Sequence, residues 1–326
     1  MPNMKTERAI LSAGKAMLMQ ARETARKRRR RMDLFLNQRQ RAGMLFKQDL
    51  LERSLRAAGI DQRLLVEQQQ RDQKAITKYL TVERKHALAG ARTVTRQQDK
   101  VMKDRKKRWD QVLGKNSSLS PAVVSQYLDT ASEIVLSGEG VTSIAAGQNL
   151  ARTRADVSSG GYLGGPMKGA FVNIDWHFVW SAPQSGLLNA TTFLQLNGAT
   201  WLAVNPDCNG GVAESSLTAT LGLTQWDSSG QPQHDAETVE LIDQEIQTSW
   251  GDSLGQVRFI ALDETDTVGT GRAFQFPVLA DTPILMTVSA QLYVFVWNAE
   301  VALDFLSGAY RLNVPFVFVT VNSGVG

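Results

Sequence analysis

A chain of 326 residues with 43% hydrophobic content can bury one or two packed cores, and it contains no run of 18 apolar residues to span a membrane. The start lacks the apolar stretch of a secretory signal, and its Arg-rich, acid-poor character runs on far past the length of a transit peptide. The single cysteine, Cys208, excludes an intramolecular disulfide framework and fits synthesis in a reducing cytoplasm. The net charge of +4 conceals a split: residues 1–115 carry 30 Lys or Arg against 12 Asp or Glu, and residues 116–326 carry 6 against 20. A basic interaction segment is therefore joined to an acidic globular part, and the halves can attract each other, neighbouring copies or a polyanion.

Residues 1–113 read as a basic helical stem. Between Thr6 and Leu113 there is no proline, glycine appears only at 14, 43, 59 and 90, and Ala, Leu, Gln, Arg, Lys and Met dominate. One unbroken helix would reach about 160 Å at 1.5 Å per residue. The stretch Ala58-Gly59-Ile60-Asp61 predicts a break, with the glycine ending one helix and Asp61 capping the next, which permits a helical hairpin.

Two seven-residue series run through this stem: Leu11, Leu18, Ala25, Met32, and Val66, Gln73, Leu80, Ala87, Val94, Val101. Repeats of seven predict a coiled-coil or helical-bundle seam, although the companion positions Gly14, Ala21, Arg28 and Phe35 are only half apolar. Arg26, Lys27, Arg28, Arg29, Arg30 and Arg31 form an unbroken cationic run, and Lys103, Arg105, Lys106, Lys107 and Arg108 form a second cluster. These eleven side chains are the candidate contacts to an acidic partner or to phosphate. Arg28 falls on the seam, where an unpaired charge is costly. It is expected to meet a carboxylate of a neighbouring chain, a bound anion or a splayed end of the bundle.

Residues 114–169 read as a linker. Gly114 to Pro121 is loop by composition, and Ser120-Pro121 predicts the start of a short helix over 121–137. Val124, Tyr127, Leu128, Ala131, Ile134 and Val135 would line one face, and Gly138 would end it. A Gly/Ser-rich connector follows to Gly169. It has neither the spacing nor the Lys-Ser/Thr ending of a phosphate-binding loop.

From residue 170 the period is two. Val172, Ile174, Trp176, Phe178 and Trp180 face one way, with Asn173, Asp175 and His177 opposite. LQLNGATWLAV carries Asn197-Gly198 between two strand-like runs and predicts a hairpin. SLTATLGL, VRFIAL, AFQFPVL, ILMTVSAQLYVFVW and YRLNVPFVFVTV supply further strands, the last carrying Pro315, which predicts an edge strand or a bulge. Residues 235–250 fit either a strand or a helix, since Val239, Ile242, Ile246 and Trp250 also match helical spacing. The expected fold is α+β: a helical stem followed by an antiparallel β-sandwich of seven or eight strands over 170–326, with a jelly roll as one form of it.

Chemical motifs are sparse. None of His86, His177 and His234 has metal-ligand spacing to another His or Cys, and no nucleophile elbow occurs. His177 beside Asp175 has the residue types of an acid–base pair, yet same-strand neighbours commonly look like this without doing chemistry. GTGRAF lacks the third glycine of a dinucleotide loop. The carboxylates of residues 263–266 read as a solvated acidic turn rather than a calcium site. The tryptophans at inward strand positions read as core. No cofactor or metal is expected, and the expected function is non-enzymatic.

A long basic helical segment with the Leu11–Met32 and Val66–Val101 series, a Gly/Ser connector and an acidic β domain resembles the architecture of bacteriophage fibre, whisker and collar proteins. That resemblance implies a virion location and a helical part that docks on the particle or trimerises. It also implies a β head that meets another virion protein or a receptor. A cationic segment before a jelly roll also resembles small-virus capsid proteins, which implies contacts to packaged nucleic acid.

Overall fold

A computed structural model describes residues 7–16, 50, 53–116, 123–139, 149–160, 166–205, 210–248, 255–269 and 276–323. The cationic run Arg26–Arg31, the rest of the first seven-residue series after Leu11, Cys208 and Trp250 lie outside the described residues.

The predicted break at Gly59 is present. A short helical stretch over 53–57 ends where Gly59 adopts a φ of +68°, with Gly59 N–H donating to the Arg56 carbonyl and Ile60 N–H to the Leu55 carbonyl. This is the paired ending that a left-handed glycine permits. Asp61 then accepts from Arg63 N–H at 2.9 Å and caps the next helix. Two longer helical stretches are described, α1 over 7–16 and α2 over Gln62–Asn116, which is 55 residues long.

Fifteen strands follow: β1 Val123–Leu128, β2 Glu133–Glu139, β3 Leu150–Ala151, β4 Arg154–Ser159, β5 Lys168–Ser181, β6 Gly186–Val204, β7 Gly211–Trp226, β8 Pro232–Thr248, β9 Val257–Leu262, β10 Thr265–Val268, β11 Phe276–Val278, β12 Pro283–Trp297, β13 Ala299–Asp304, β14 Arg311–Asn313 and β15 Val317–Asn322. All their pairings are antiparallel. One sheet runs β2-β5-β12-β7-β8. The other is built on β6, a 19-residue strand whose two edges are each tiled by three short strands. On one edge stand β11, β10 and β9, and on the other β15, β14 and β13, which in turn pair with β1, β3 and β4.

The two sheets close face to face over one apolar core. Val172, Ile174, Trp176, Phe178 and Trp180 all point into it, as the alternation predicts, alongside Met286, Val288, Leu196 and Leu202. A β-sandwich is thus the body of the fold.

Three expectations are corrected. Residues 121–137 were expected to be helical; residues 123–128 and 133–139 are instead β1 and β2, paired with β15 and β5. Val123, Val124, Ile134 and Val135 are β-branched, and two short strands separated by a turn imitate a helical spacing. The turn between them is held by Asn149, whose side chain accepts from Ala131 N–H and donates to the Asp129 carbonyl. The stretch read as linker therefore contributes four strands. Asn197-Gly198 is not a hairpin turn but the interior of β6, with Asn197 opposite Arg311 and Gly198 opposite Leu262. Pro315 carries the predicted irregularity: it separates β14 from β15, and residues 314–316 stand opposite only 193–194 of β6, so the register shifts by one residue as in a bulge. The ambiguous residues 235–248 are strand β8.

The basic segment is no free-standing stem over its second half. Helix α2 lies on the outer face of the β6 sheet and adds a third layer. Leu80 packs with Trp201, Ala203 and Ala302; Ala91 with Ala199 and Tyr310; Met102 and Trp109 with Phe193, Phe316 and Phe318. From Leu80 to Met102 the helix advances about 33 Å at 1.5 Å per residue, and β6 covers about 33 Å from Ala203 back to Phe193 at 3.3 Å per residue. Helix and strand therefore run side by side in opposite directions.

The buried stripe of α2 does not follow the seven-residue series. Val101, a member of it, is 47% exposed, whereas its neighbour Met102 is buried. The contacts recur every eleven residues, as Leu80, Ala91, Met102 and as Ile76, Ala87, Gln98, Trp109. A repeat of eleven corresponds to 3.67 residues per turn and drifts in the sense opposite to a left-handed coiled coil.

Candidate functional site

The seam between α2 and the β6 sheet carries a set of polar contacts that join the helix to the sheet. Gln98, buried in the seam, donates from Nε2 to the carbonyls of Leu196 (2.8 Å) and Glu264 (3.1 Å). Asn197 answers from the sheet side, donating from Nδ2 to the Ala91 carbonyl (2.8 Å) and to Thr95 Oγ1 (2.7 Å). Asp99 and Arg311 pair across the seam at 2.6 Å. Each of these groups would be costly to bury alone, and together they fix the helix in one register.

At the Leu80 end, two guanidinium groups approach the Trp201 ring, Arg84 at 4.2 Å and Arg154 at 5.1 Å from its centre. Arg154 also pairs with Asp156 at 2.8 Å, and Glu300 stands close by on β13. Burial pushes the Glu300 carboxyl above its usual range, against the opposing pull of Arg84 and Arg154. Asp304 is almost fully buried and accepts from Leu306 N–H, Ser307 N–H and Ser307 Oγ, with Arg84 at 3.9 Å. At the other end, Trp109, Tyr127, Phe193, Phe316 and Phe318 form one aromatic cluster with ring centres 4.9 to 6.4 Å apart.

Two tyrosines in this seam are held protonated. Burial, then the nearby Asp110 carboxylate, raises Tyr127 to about 12; burial and then Asp304, opposed by Arg84, raises Tyr310 to about 12. A raised pKa in the folded state contributes stability that is full below the unfolded value near 10 and is lost as pH climbs through about 12. Titration of tyrosinate absorbance should show Tyr127 and Tyr310 ionising late, with stability falling across that window.

The predicted contact residues divide. Lys103, Lys107 and Arg108 are exposed on α2. Arg105 lies over the Phe193 ring at 5.2 Å, and Lys106 lies over Tyr127 at 5.0 Å and pairs with Asp129 at 3.8 Å. Those two cations are therefore engaged by the chain's own β domain, and the attraction between basic and acidic halves is in part intramolecular. Arg26, Lys27, Arg28, Arg29, Arg30 and Arg31 lie outside the described residues, and the expected partner of Arg28 with them.

His177 and Asp175 sit on the outer face of the five-stranded sheet and are both buried. His177 Nδ1 bonds Thr287 Oγ1 at 3.0 Å, while Asp175 Oδ1 accepts from Ser289 Oγ at 2.6 Å. These are cross-strand pairs to β12, neighbours on the same face with Trp176↔Val288 between them on the other. Helix α1 lies against this face, with Leu11 buried, Gly14 against Leu285, and Lys15 bonded to Glu133. Beneath it a cavity of about 60 Å³ is lined by Thr220, Thr224, His234, Leu285 and Thr287 among others. Such a space admits one or two waters and no larger ligand.

The seam residues Gln98, Trp109 and Arg84 were not singled out by the sequence reading, and Asn197 was read there as a turn residue. For Gln98 and Trp109 the signal was the eleven-residue spacing, which the seven-residue reading masked. Of the tryptophans, Trp176 and Trp180 belong to the sandwich core and Trp201 to the seam. Among the described residues no group of three His, Cys, Asp or Glu is placed to hold a metal ion, and no helix is long and apolar enough to cross a membrane.

No protein-family model matches the sequence, and a search of curated proteins returns no match. Solved structures give distant likenesses. The carbohydrate-binding module TmCBM61 in complex with β-1,4-galactotriose aligns over 53% of this chain and 90% of its own, at 10% identity and a TM-score of 0.19. The family 11 carbohydrate-binding module of the Clostridium thermocellum cellulase Lic26A-Cel5E aligns over 54% and 94%, at 13% identity and 0.17. The enzymatically active domain of bacteriophage CBA120 tailspike protein 4 aligns over 55% of this chain but 19% of its own, at 7% identity and 0.15. Scores this low decide neither the fold nor the partner of this chain, which rest on its own strand pairing.

Proposed function

We propose that the chain is a non-enzymatic structural or attachment protein of a virus particle, in which the helical part docks or oligomerises on the particle and a jelly-roll-type β head meets a partner or receptor. The observation that carries this reading is the seam. Gln98, Asn197, the Arg84–Asp304 pair and the Trp109 cluster hold a 55-residue basic helix on the sandwich. What results is one packed unit with cations along one layer and acids on another. The 17-residue strand β8, an edge of the five-stranded sheet, carries Asp235, Glu237, Glu240, Asp243 and Glu245 and no Lys or Arg. Opposed charged faces on one packed unit suit repeated contacts among copies and with other particle proteins. A homotrimer is the oligomer this reading favours.

Mass spectrometry of gradient-purified particles tests the reading. The chain should co-band with the particle at a fixed multiple of copies and persist through a high-salt wash. Its absence from purified particles overturns the proposal. A second reading, a capsid protein whose basic segment binds packaged nucleic acid, is favoured by the exposure of Lys103, Lys107 and Arg108.

A further inference from the structure

We propose that the face of α2 turned away from the sheet is a rail for the phosphate backbone of single-stranded nucleic acid. The inference stands apart from the virion reading, because the isolated chain displays or lacks this surface whatever particle it serves. It shares only Lys103 and Lys107 with the two basic clusters of the sequence and sharpens the nucleic-acid reading to one face of α2.

Arg71, Lys74, Lys78, Lys85, Arg92, Arg96, Lys100, Lys103 and Lys107 are all exposed. They follow one another at three, four or seven residues, which at 100° per residue confines them to one stripe about 80° wide. The stripe is centred about 140° around the helix from the docking residues Leu80, Ala91 and Met102. Over the same length the acids Asp72, Glu83 and Asp104 fall outside it, and Asp99 is held by Arg311. The seam itself thus sorts the charges of α2: docking one face on the sheet leaves this cationic face outward.

Nine charges over 36 residues span about 54 Å, or one cation per ~7 Å, roughly twice the 3.4 Å phosphate rise of a stacked strand. That is one cation for about every two phosphates along a straight line. A duplex suits the rail poorly, because each of its strands winds away and returns only after a turn of about 34 Å. A flexible single strand can follow the whole length. An acidic protein also fits less well. The only apolar side chains in the same sector are Val82 and Ala89, too few for the apolar centre from which charges are normally depleted in a protein interface. The acidic edge strand β8 of a second copy is the competing occupant, and the test separates it.

Fluorescence anisotropy of a labelled 30-nucleotide oligo(dT) is measured with the full chain across a salt series. Two variants are compared, R92Q/R96Q/K100Q/K103Q on the rail and R28Q/R29Q/R30Q/R31Q in the N-terminal run. Glutamine is a good helix former and the four rail sites are exposed, so thermal unfolding of the rail variant should match the wild type. Neutralising four contacts at about 0.7 each should flatten the slope of log K against log salt by about 3, and weaken binding about a hundredfold or more at 0.1 M salt. The N-terminal variant should retain the rail's share of that slope, and a duplex of equal length should bind more weakly. The proposal is overturned if the rail variant binds as the wild type does, or if all salt dependence resides in Arg28–Arg31. It is equally overturned if the duplex binds more tightly. Finally, if the wild type ignores the oligonucleotide while the rail variant loses self-association, the rail is a seat for strand β8 of another copy.

Discussion

Trp176→Ala should destabilise the folded chain by about 4 kcal/mol, within the range for truncating a large buried aromatic. Trp176 stands in the middle of β5 with Ile134 of β2 on one side and Val288 of β12 on the other, and its side chain is wholly buried between the sheets. Truncation removes its apolar burial and leaves a cavity that rigid paired strands on both sides cannot close. It also removes the indole N–H that donates to the Asn149 carbonyl at 3.0 Å. That carbonyl keeps a second donor, Val314 N–H at 3.1 Å, so the lost hydrogen bond adds less than the cavity does. Trp176→Phe, which retains a ring, should cost less than half as much. Denaturant midpoints of the two variants against the wild type measure both, and a Trp176→Ala variant within 1 kcal/mol of wild type would remove Trp176 from the centre of the core.

Gly198→Ala should cost about 3 kcal/mol, the upper end for forcing a methyl into packed space. An added Cβ would come to 2.6 Å from the Asp304 carbonyl oxygen and 2.5 Å from Phe305 Cδ1. The carbonyl cannot swing aside, because β13 is paired with β6 on one edge and β4 on the other, and Phe305 is fully buried. Gly90→Ala supplies the contrast. Nothing lies within 4 Å of a Cβ at Gly90 on α2, so the same substitution should stabilise by about 0.8 kcal/mol through helix propensity. Opposite signs for the two variants, read from the same unfolding curves, are the expected result.

These two sites mark what the sequence could and could not reveal. Trp176 was legible because it alternates with polar Asp175 and His177, and a strand buried on one face writes that period directly. Strand β9 and the break at Gly59 were legible for the same local reasons. Gly198 was not legible, because Asn-Gly is a turn signal only where both flanks are free to fold back. Here the Asn197 amide is used by α2 and the missing glycine Cβ by Phe305, neither of which is near in sequence. Strand β8 was ambiguous because its register shifts between Leu217 and Thr218 of β7. One extra residue in β8 turns a period of two into the three-and-four spacing of Val239, Ile242 and Ile246.

The candidate contacts were legible as cations but not as positions. Lys103, Arg105, Lys106 and Lys107 are neighbours in sequence, yet only docking on the β6 sheet separates the outward pair, Lys103 and Lys107, from the two that lie over Phe193 and Tyr127. The helix itself was predicted from composition, whereas its partner was not. A spacing of seven predicts another helix and a spacing of eleven accommodates a sheet, and residues such as Leu80 and Ala87 belong to both patterns.

The seam along α2 underlies both the packed-unit reading and the sorting of charges onto the rail. Amide hydrogen exchange followed by mass spectrometry on peptides covering residues 76–113 tests it most directly. The docked helix should exchange as slowly as β6 and lose protection in the same unfolding transition. Exchange of 76–113 at the rate of an isolated helix, while β6 stays protected, would show that α2 is a free stem and contradict the account.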